Sequence, residues 1–217
     1  MATGFGAAEF GFLLDGLGWT LLLAAIALLG GGICALPVAL ARSSTRGWLL
    51  RPAAAYIWVF QGTPLLMQLF VAYYGLGLVG VKLPAWAAVA VGFTLNASAF
   101  LGDIWRGAIQ AIPQGQTEAA RALGLHFSAR MRKVILPQAF RIAQPATVGY
   151  LVQLIKGTSL AAILSFIELT RAGQIVANQI FRPLLVYAVV GALYFAICWP
   201  LSLASSRLEA RLAVAKS

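Results

Sequence analysis

Charged residues are scarce in this sequence. Only 10% of the 217 residues are charged, 61% are hydrophobic and the mean hydropathy is +0.86, whereas about a quarter of the residues in a soluble domain are charged. The apolar residues also form long runs that a water-exposed surface does not accommodate. The composition therefore excludes an ordinary soluble domain, including a stable soluble helical bundle, and predicts an integral membrane protein.

Residues that carry chemistry are equally scarce. The single histidine, His126, cannot supply paired axial ligands for a haem or a histidine cluster for a metal ion. The two cysteines, Cys34 and Cys198, fall inside hydrophobic runs, where we expect packing roles and no disulfide. The phosphate-binding pattern G-x-x-x-x-G-K-[ST] is absent, and no nucleophile–base pair stands out. We therefore expect no metal or cofactor bound by this chain and no enzymatic activity of its own.

Five hydrophobic stretches are long enough to cross a bilayer as helices, which takes about 20 apolar residues each. They cover residues 17–41, 53–78, 86–109, 142–164 and 184–204. Helices are expected because unpaired backbone amides are too costly in lipid, and Pro37 and Pro64 predict kinks within spans. The predicted fold class is an all-α integral membrane protein with about five transmembrane helices in one domain, residues 1–217.

Positive charge is concentrated in alternate loops and at the C-terminus, although the net charge is +10. No lysine or arginine precedes Arg42, and clusters then follow the first span, the third span and the fifth span: Arg42, Arg46 and Arg51; Arg121, Arg130, Arg132, Lys133 and Arg141; Arg207, Arg211 and Lys216. Positive loops mark the cytoplasmic side of a membrane protein. The pattern predicts an external N-terminus and a cytoplasmic C-terminus, and it does not indicate nucleic-acid binding.

Two segments outside the spans have an amphipathic character. Large apolar residues lie next to two acidic residues near the N-terminus, which predicts a short segment on the outer membrane surface: Phe5, Phe10, Phe12 and Leu13 beside Glu9 and Asp15. The external loop at residues 170–183 mixes polar residues with Ile175, Ile180 and Phe181. It predicts a short helix at the same surface.

A longer pattern follows the third span. Glu118-Ala119-Ala120 is followed by three residues, then Gly124, nine residues and Val134-Ile135-Leu136-Pro137. Residues 116–123 are strong helix formers, and a glycine such as Gly124 can adopt the left-handed conformation that ends a helix. The pattern predicts a short surface helix with Glu118 in its first turn, where the helix dipole favours an anion.

The spacing of this pattern resembles the EAA motif, E-A-A-x3-G-x9-I-x-L-P, of bacterial ABC-importer permeases, with Val134 in place of the usual isoleucine. Further segments, in the same order as in the family, resemble the permeases for polar amino acids such as histidine, arginine, glutamate and glutamine: QGTPLL at 61–66, AIPQGQ at 111–116, ILPQA at 135–139 and KGTSL at 156–160. The resemblance implies a type I ABC-importer permease fold, multi-pass in the bacterial inner membrane.

The resemblance also implies partners. A second permease, identical or a similar sibling, would complete the pathway, and an ABC ATPase dimer would bind ATP and Mg²⁺ and hydrolyse the ATP. A periplasmic or extracellular binding protein would deliver the amino acid. The cytoplasmic loop 112–138 would couple to the ATPase through six residues: Glu118, Ala119, Ala120, Arg121, Gly124 and Pro137. The external loop 170–183 would close the pathway, touch the binding protein or cap the bundle.

Three positions depart from the family pattern. Gln61 replaces a frequent arginine, Gly157 replaces a frequent aspartate, and Asp103 stands where glutamate is usual. Gly157 is also expected to loosen the fourth helix or to allow close approach of a neighbour. A different class, an ion-driven secondary carrier, more often shows inverted repeats. No repeat is evident in this sequence, and that class would leave the loop motif without a role.

An amino-acid pathway needs polar groups inside the spans. The candidates are Gln61, Thr63, Gln68, Asn96, Asp103, Gln153, Lys156, Thr158 and Ser159. Gln61 and Gln68 either line the pathway or tie helices together. For Thr63 and Ser98 we expect hydrogen bonds between helices, and for Asp103 an ion pair with Arg106, three residues on. Lys156 is expected either to border the central cavity or to form a structural salt bridge.

Overall fold

The computed structural model describes residues 4–78 and 80–214, and every regular element within these ranges is helical. The α-helices are α1 Ala7–Arg42, α2 Gly47–Gly62, α3 Leu65–Phe70, α4 Leu76–Leu78, α5 Ala85–Gln110, α6 Gln114–Ala122, α7 Phe127–Arg130, α8 Leu136–Gly157, α9 Leu169–Ile180 and α10 Pro183–Val214. A π-helical turn, Val71–Gly75, joins α3 to α4, and another, Met131–Ile135, joins α7 to α8. A 3₁₀-helix, Thr158–Leu164, follows α8.

The number of membrane spans agrees with the prediction. Within the described ranges four helical stretches are long and apolar enough to cross a bilayer, at residues 7–42, 85–110, 127–164 and 183–212. The bent pair at residues 47–62 and 65–78 makes a fifth span if it is counted as one. The all-helical fold class is thereby confirmed.

The N-terminal segment does not form the separate surface element that was predicted. Helix α1 begins at Ala7 and continues without a break through residue 17, the predicted start of the first span. The carboxylate of Glu9 accepts a hydrogen bond from the backbone nitrogen of Gly6 at 2.9 Å, which caps the helix. Leu13 is fully buried in a cluster with residues of α9 and α10. Tertiary packing therefore fixes these first turns as part of α1.

The second span differs from the single helix predicted at 53–78. It begins earlier, at Gly47, and breaks between Gly62 and Leu65, where the two halves are bent by 107°. Pro64 lacks a backbone N–H and disfavours a helical conformation at the preceding residue. Thr63 accordingly has φ −116° and ψ 144°, an extended conformation. The kink expected at Pro64 is confirmed and is large enough to break the helix.

The fourth span also begins earlier than predicted. A continuous helical stretch runs from Phe127 to Leu164, so the last part of the predicted loop 112–138 belongs to this span. The helix changes from α to 3₁₀ geometry directly after Gly157, which is a tighter winding rather than the loosening expected there. The final helix, α10, likewise extends to Val214, beyond the predicted end at residue 204.

The centre of the bundle is formed by α1, α5 and α8. Helices α1 and α5 run parallel, with Gly31 against Ala97 and Val38 against Gly102. A Cβ atom placed on Gly31 would lie 2.5 Å from the Cβ of Ala97, so this close approach requires glycine. Small residues at such contacts are typical of helix packing in membranes, where dispersion rather than water exclusion holds helices together.

Helix α9 is the short helix predicted for residues 170–183. Its buried face contains Leu169, Ala172, Val176 and Ile180 and packs against α1 and α10. Of the two cysteines, Cys198 is buried, in agreement with a packing role, whereas Cys34 is exposed on α1. Neither cysteine forms a disulfide.

Candidate functional site

The break between α2 and α3 is bridged by one side chain, that of Gln68. One N–H of its amide donates to the backbone oxygen of Phe60, at 2.8 Å, and the other is shared between the backbone oxygen of Thr63, at 3.0 Å, and Oγ1 of Thr63, at 2.9 Å. The last carbonyls of a helix have no partner within the helix. Gln68 therefore satisfies two of the carbonyls at the break, those of Phe60 and Thr63. Of its two predicted roles, tying helices together has direct structural support.

A hydrogen-bond chain extends from Gln68 into the centre of the bundle. The amide nitrogen of Asn96 on α5 donates to Oε1 of Gln68 at 2.9 Å, and the hydroxyl of Tyr150 on α8 donates to Oδ1 of Asn96 at 3.2 Å. Asn96 is only 6% exposed. Because a buried amide in a membrane helix is costly unless it is bonded, these contacts hold three elements in a defined arrangement.

A cavity of about 180 Å³ lies beside this chain of hydrogen bonds. Its lining consists of Phe60, Thr63, Leu65, Asn96, Phe100, Tyr150, Gln153 and Leu154. Three of the predicted pathway residues, Thr63, Asn96 and Gln153, are thus brought together. The ring of Tyr150 stacks on that of Phe100 at 5.3 Å. The polar lining groups are uncharged amides and hydroxyls, which can both donate and accept hydrogen bonds.

Other pathway candidates lie apart from this cavity. Gln61 and Lys156 are exposed on the chain surface. Within residues 4–78 and 80–214, Lys156 forms no salt bridge, so the predicted structural salt bridge is not found there. Thr158 is fully buried and donates to the carbonyl of Ile155 at 2.7 Å, and Ser159 donates to the carbonyl of Lys156 at 2.8 Å. Both hydroxyls are thus used within their own helix.

The ion pair expected between Asp103 and Arg106 is confirmed. Nε of Arg106 lies 2.8 Å from Oδ1 of Asp103, and the guanidinium also donates to Gln110 at 2.6 Å. The hydrogen bond between helices expected at Ser98 is confirmed as well, because its hydroxyl bonds that of Tyr56 on α2. The hydroxyl of Thr63 donates to Val59 at the end of α2, at 2.6 Å, and accepts from Gln68 on α3, at 2.9 Å, so the hydrogen bond between helices expected for it is present too.

Sequence reasoning missed two polar residues, Tyr150 and Glu168. Glu168 is fully buried and caps α9: its carboxylate accepts from the backbone nitrogens of Thr170, at 2.9 Å, and Arg171, at 2.8 Å. It also accepts from the hydroxyl of Tyr194 on α10 at 2.9 Å. The local sequence carries no clear signal for this role, because the residues preferred at a helix N-cap are Ser, Thr, Asp and Asn rather than Glu.

The helix predicted in the loop motif is present as α6. It begins at Gln114, two residues earlier than predicted, so Glu118 is its fifth residue and lies in the second turn. The placement of Glu118 in the first turn is therefore wrong. Gly124 has φ +71°, the left-handed conformation expected of it. The side chain of His126 caps α7 by accepting from the backbone nitrogen of Ala129 at 3.1 Å.

Two large apolar side chains near Gly124 project from the surface of the chain. Leu123 is 80% exposed and Phe127 is 67% exposed. Helix α6 is held beside them through a hydrogen bond of 3.3 Å from Gln138 on α8 to Gln116. Glu118 and Arg121 are also exposed. The loop thus presents apolar and charged side chains together, a composition found in protein–protein interfaces.

Comparison with known proteins accounts for this architecture. Residues 27–214 match the family model of the binding-protein-dependent transport system inner membrane component. The probable amino-acid ABC transporter permease protein YckA of Bacillus subtilis is 37% identical over 190 residues, which cover 88% of this chain and 84% of that protein. The L-cystine transport system permease protein TcyB of the same organism is 36% identical, over 92% of this chain and 86% of that protein.

Solved structures agree with this assignment. The crystal structure of an amino acid ABC transporter with histidines matches with a TM-score of 0.87 and 33% identity, over 97% of this chain and 100% of that one. An inward-facing structure of the MetNI methionine ABC transporter shares the fold, with a TM-score of 0.81 and 23% identity over 95% and 99%. The chain belongs to the family of inner membrane components of binding-protein-dependent transport systems.

Proposed function

We propose that this chain is the permease subunit of an ATP-driven amino-acid importer in the bacterial inner membrane, with its N-terminus outside and its C-terminus inside. The similar proteins named as amino-acid permeases support the substrate class. The charge distribution supports the orientation. The chain would form half of the pathway, and a second permease, identical or a similar sibling, would form the other half.

The observation that carries this proposal is the polar cavity beside the break of the second span. Amide N–H groups and hydroxyls match the carboxylate of an amino acid, and amide oxygens match its ammonium group. Thr63 at the break after α2, Asn96 on α5, and Tyr150 and Gln153 on α8 supply these groups from three different parts of the fold. Relative movement of these elements would therefore change the site, which is what a transporter needs in order to bind and then release its substrate.

The loop around Gly124 supports coupling to a separate ATPase dimer that binds ATP and Mg²⁺. Leu123 and Phe127 are exposed apolar side chains that would be covered in a partner cleft. Glu118 and Arg121 lie on the same loop and supply charges for orientation. ATP binding would draw the two ATPases together and move both permease loops, opening the cavity outward to a periplasmic binding protein. ATP hydrolysis would return the cavity to its inward-open state.

The test is uptake of radiolabelled amino acids into proteoliposomes that hold the complex with its ATPase, with the binding protein added outside. We expect ATP-dependent uptake in the native complex and its loss in Glu118→Lys and Gly124→Asp. The matched control is Glu209→Lys, a charge reversal on exposed α10, which should leave uptake unchanged. Uptake by the permease without ATPase, driven by an ion gradient, would show a secondary carrier instead.

A further inference from the structure

An apolar groove of about 200 Å³ lies between α1, α5 and α8, apart from the polar cavity. Its lining consists of Leu36, Trp105, Ile109, Leu136, Ala139, Phe140 and Ala143. Phe140 is 67% exposed and Leu36 is 43% exposed. The indole N–H of Trp105 already donates to Thr147 at 3.2 Å, so this side chain presents hydrocarbon to the groove. The groove therefore suits an apolar ligand.

Three cationic residues lie beyond one end of this groove. Arg42 ends α1, six residues after Leu36, which is about 9 Å along the helix. Arg132 and Lys133 lie in the π-helical turn just before Leu136, where the same helical stretch reaches the groove. Helices α1 and α5 run parallel and α8 returns in the opposite sense, so all three positive residues are at the same end of the bundle.

These cations have no internal counter-charge in the part of the chain that the structure describes. The one salt bridge within these ranges joins Arg106 to Asp103. Arg132 and Lys133 are exposed, and Arg42 is partly exposed. A groove that is apolar along its length and positive at its end matches one kind of molecule, an amphiphile with a negatively charged head.

We propose that the groove binds one acyl chain of an anionic phospholipid, whose phosphate is held by Arg42, Arg132 and Lys133. A membrane protein is surrounded by lipid, and basic residues next to grooves between membrane helices attract anionic headgroups. The acyl chain covers Phe140 and Leu36, and the cations select phosphatidylglycerol over a lipid of zero net charge. The inference depends on the chain spanning a membrane. Arg132 and Lys133 also lie within the loop 112–138 proposed for coupling, so the test measures lipid binding itself and not uptake.

Native mass spectrometry of the purified complex, equilibrated with equal amounts of phosphatidylglycerol and phosphatidylcholine, tests this site. We expect retention of phosphatidylglycerol at one site per chain, at least tenfold preferred over phosphatidylcholine. Combined Arg42→Gln, Arg132→Gln and Lys133→Gln should abolish this preference. The control removes charge from α10, which contributes nothing to the groove: Arg207→Gln with Arg211→Gln should retain the lipid as the native chain does.

The acyl-chain contact is tested separately by Phe140→Ala, which removes an exposed side chain and leaves all cations in place. Phe140→Ala should release the lipid faster although the charge of the chain is unchanged. The control Trp199→Ala, at a 57% exposed residue of α10, should leave lipid release unchanged. Soluble glycerol phosphate should fail to displace the lipid. The proposal is overturned if the native complex shows no phosphatidylglycerol preference, if the triple variant retains the lipid, or if the α10 control loses it equally.

Discussion

Replacing Glu168 by alanine should loosen α9 without unfolding the bundle. The carboxylate satisfies two backbone N–H groups of α9, those of Thr170 and Arg171, and accepts a hydrogen bond from Tyr194. Loss of a helix cap costs about 1 kcal/mol, and a hydrogen bond to a charged group is worth about 1.5–3 kcal/mol. Together these terms lower the free energy of opening α9 by about 2.5–4 kcal/mol, so its open population rises about two to three orders of magnitude.

Hydrogen–deuterium exchange followed by mass spectrometry measures this opening directly, because amide exchange reports local unfolding. Amides of Leu169–Ile180 should exchange faster in Glu168→Ala by the factor given above, while amides of α5 keep their native rates. Tyr194→Phe removes the hydrogen bonds of this hydroxyl with Glu168 and Thr170 but keeps the cap, and it should accelerate the same amides by about one to two orders of magnitude. The two substitutions contact each other, so the double variant should fall short of the sum of their effects.

The reasoning would be refuted by unchanged exchange in α9 of a folded Glu168→Ala protein. It would also be refuted if α5 and α9 accelerated equally, because the carboxylate would then support the whole bundle rather than this helix. Glu168→Gln gives a further comparison, since it keeps one oxygen acceptor and should lie between the native protein and the alanine variant.

Three shorter predictions concern other contacts. Gly31→Ala should lower the melting temperature in scanning fluorimetry, because its Cβ would lie 2.5 Å from a side chain of α5 and overpacking costs about 1–3 kcal/mol. The control Gly18→Ala, at a position with open space around it, should leave the melting temperature unchanged. Gly124→Ala should reduce co-purification of the partner ATPase, since φ +71° costs a non-glycine residue about 1–2 kcal/mol, whereas native levels would contradict a coupling role. Asn96→Leu should destabilise the protein by about 1 kcal/mol, at about 0.6 kcal/mol per membrane hydrogen bond. A double-mutant cycle of Asn96→Leu with Tyr150→Phe measures the coupling energy between these two side chains. If the two losses of stability simply add, the hydrogen bond between Tyr150 and Asn96 contributes nothing, contrary to this prediction.

Features that depend on local sequence were predictable. The spans follow from the length of apolar chain that lipid requires, and the positive φ of Gly124 follows from its position at the end of a helix-forming segment. Asp103 and Arg106 pair because residues three apart in a helix face the same side. Each of these inferences needs only a few neighbouring residues and the geometry of a single helix.

Features that depend on contacts between distant residues were not predictable. Asn96 meets Tyr150, 54 positions later in the chain, and no local pattern indicates this pairing. The first turns of α1 belong to the bundle because Leu13 packs against α9, more than 150 residues away. The pathway candidates also divide in a way that only the fold shows. Thr63, Asn96 and Gln153 line one cavity, whereas the hydroxyls of Thr158 and Ser159 donate to nearby backbone carbonyls.

The break after Gly62 has a consequence for how the protein is inserted into the membrane. Helix α2 has 16 residues and is about 24 Å long, shorter than the roughly 30 Å of hydrocarbon that a span must cross. The stretch at 65–78 is shorter still. Neither half can cross the bilayer alone, and the carbonyls at the break are satisfied only after Gln68 has reached them. We expect this span to become stable only after α5 has been synthesised, because α5 packs against both α2 and α3 and its Asn96 donates a hydrogen bond to Gln68.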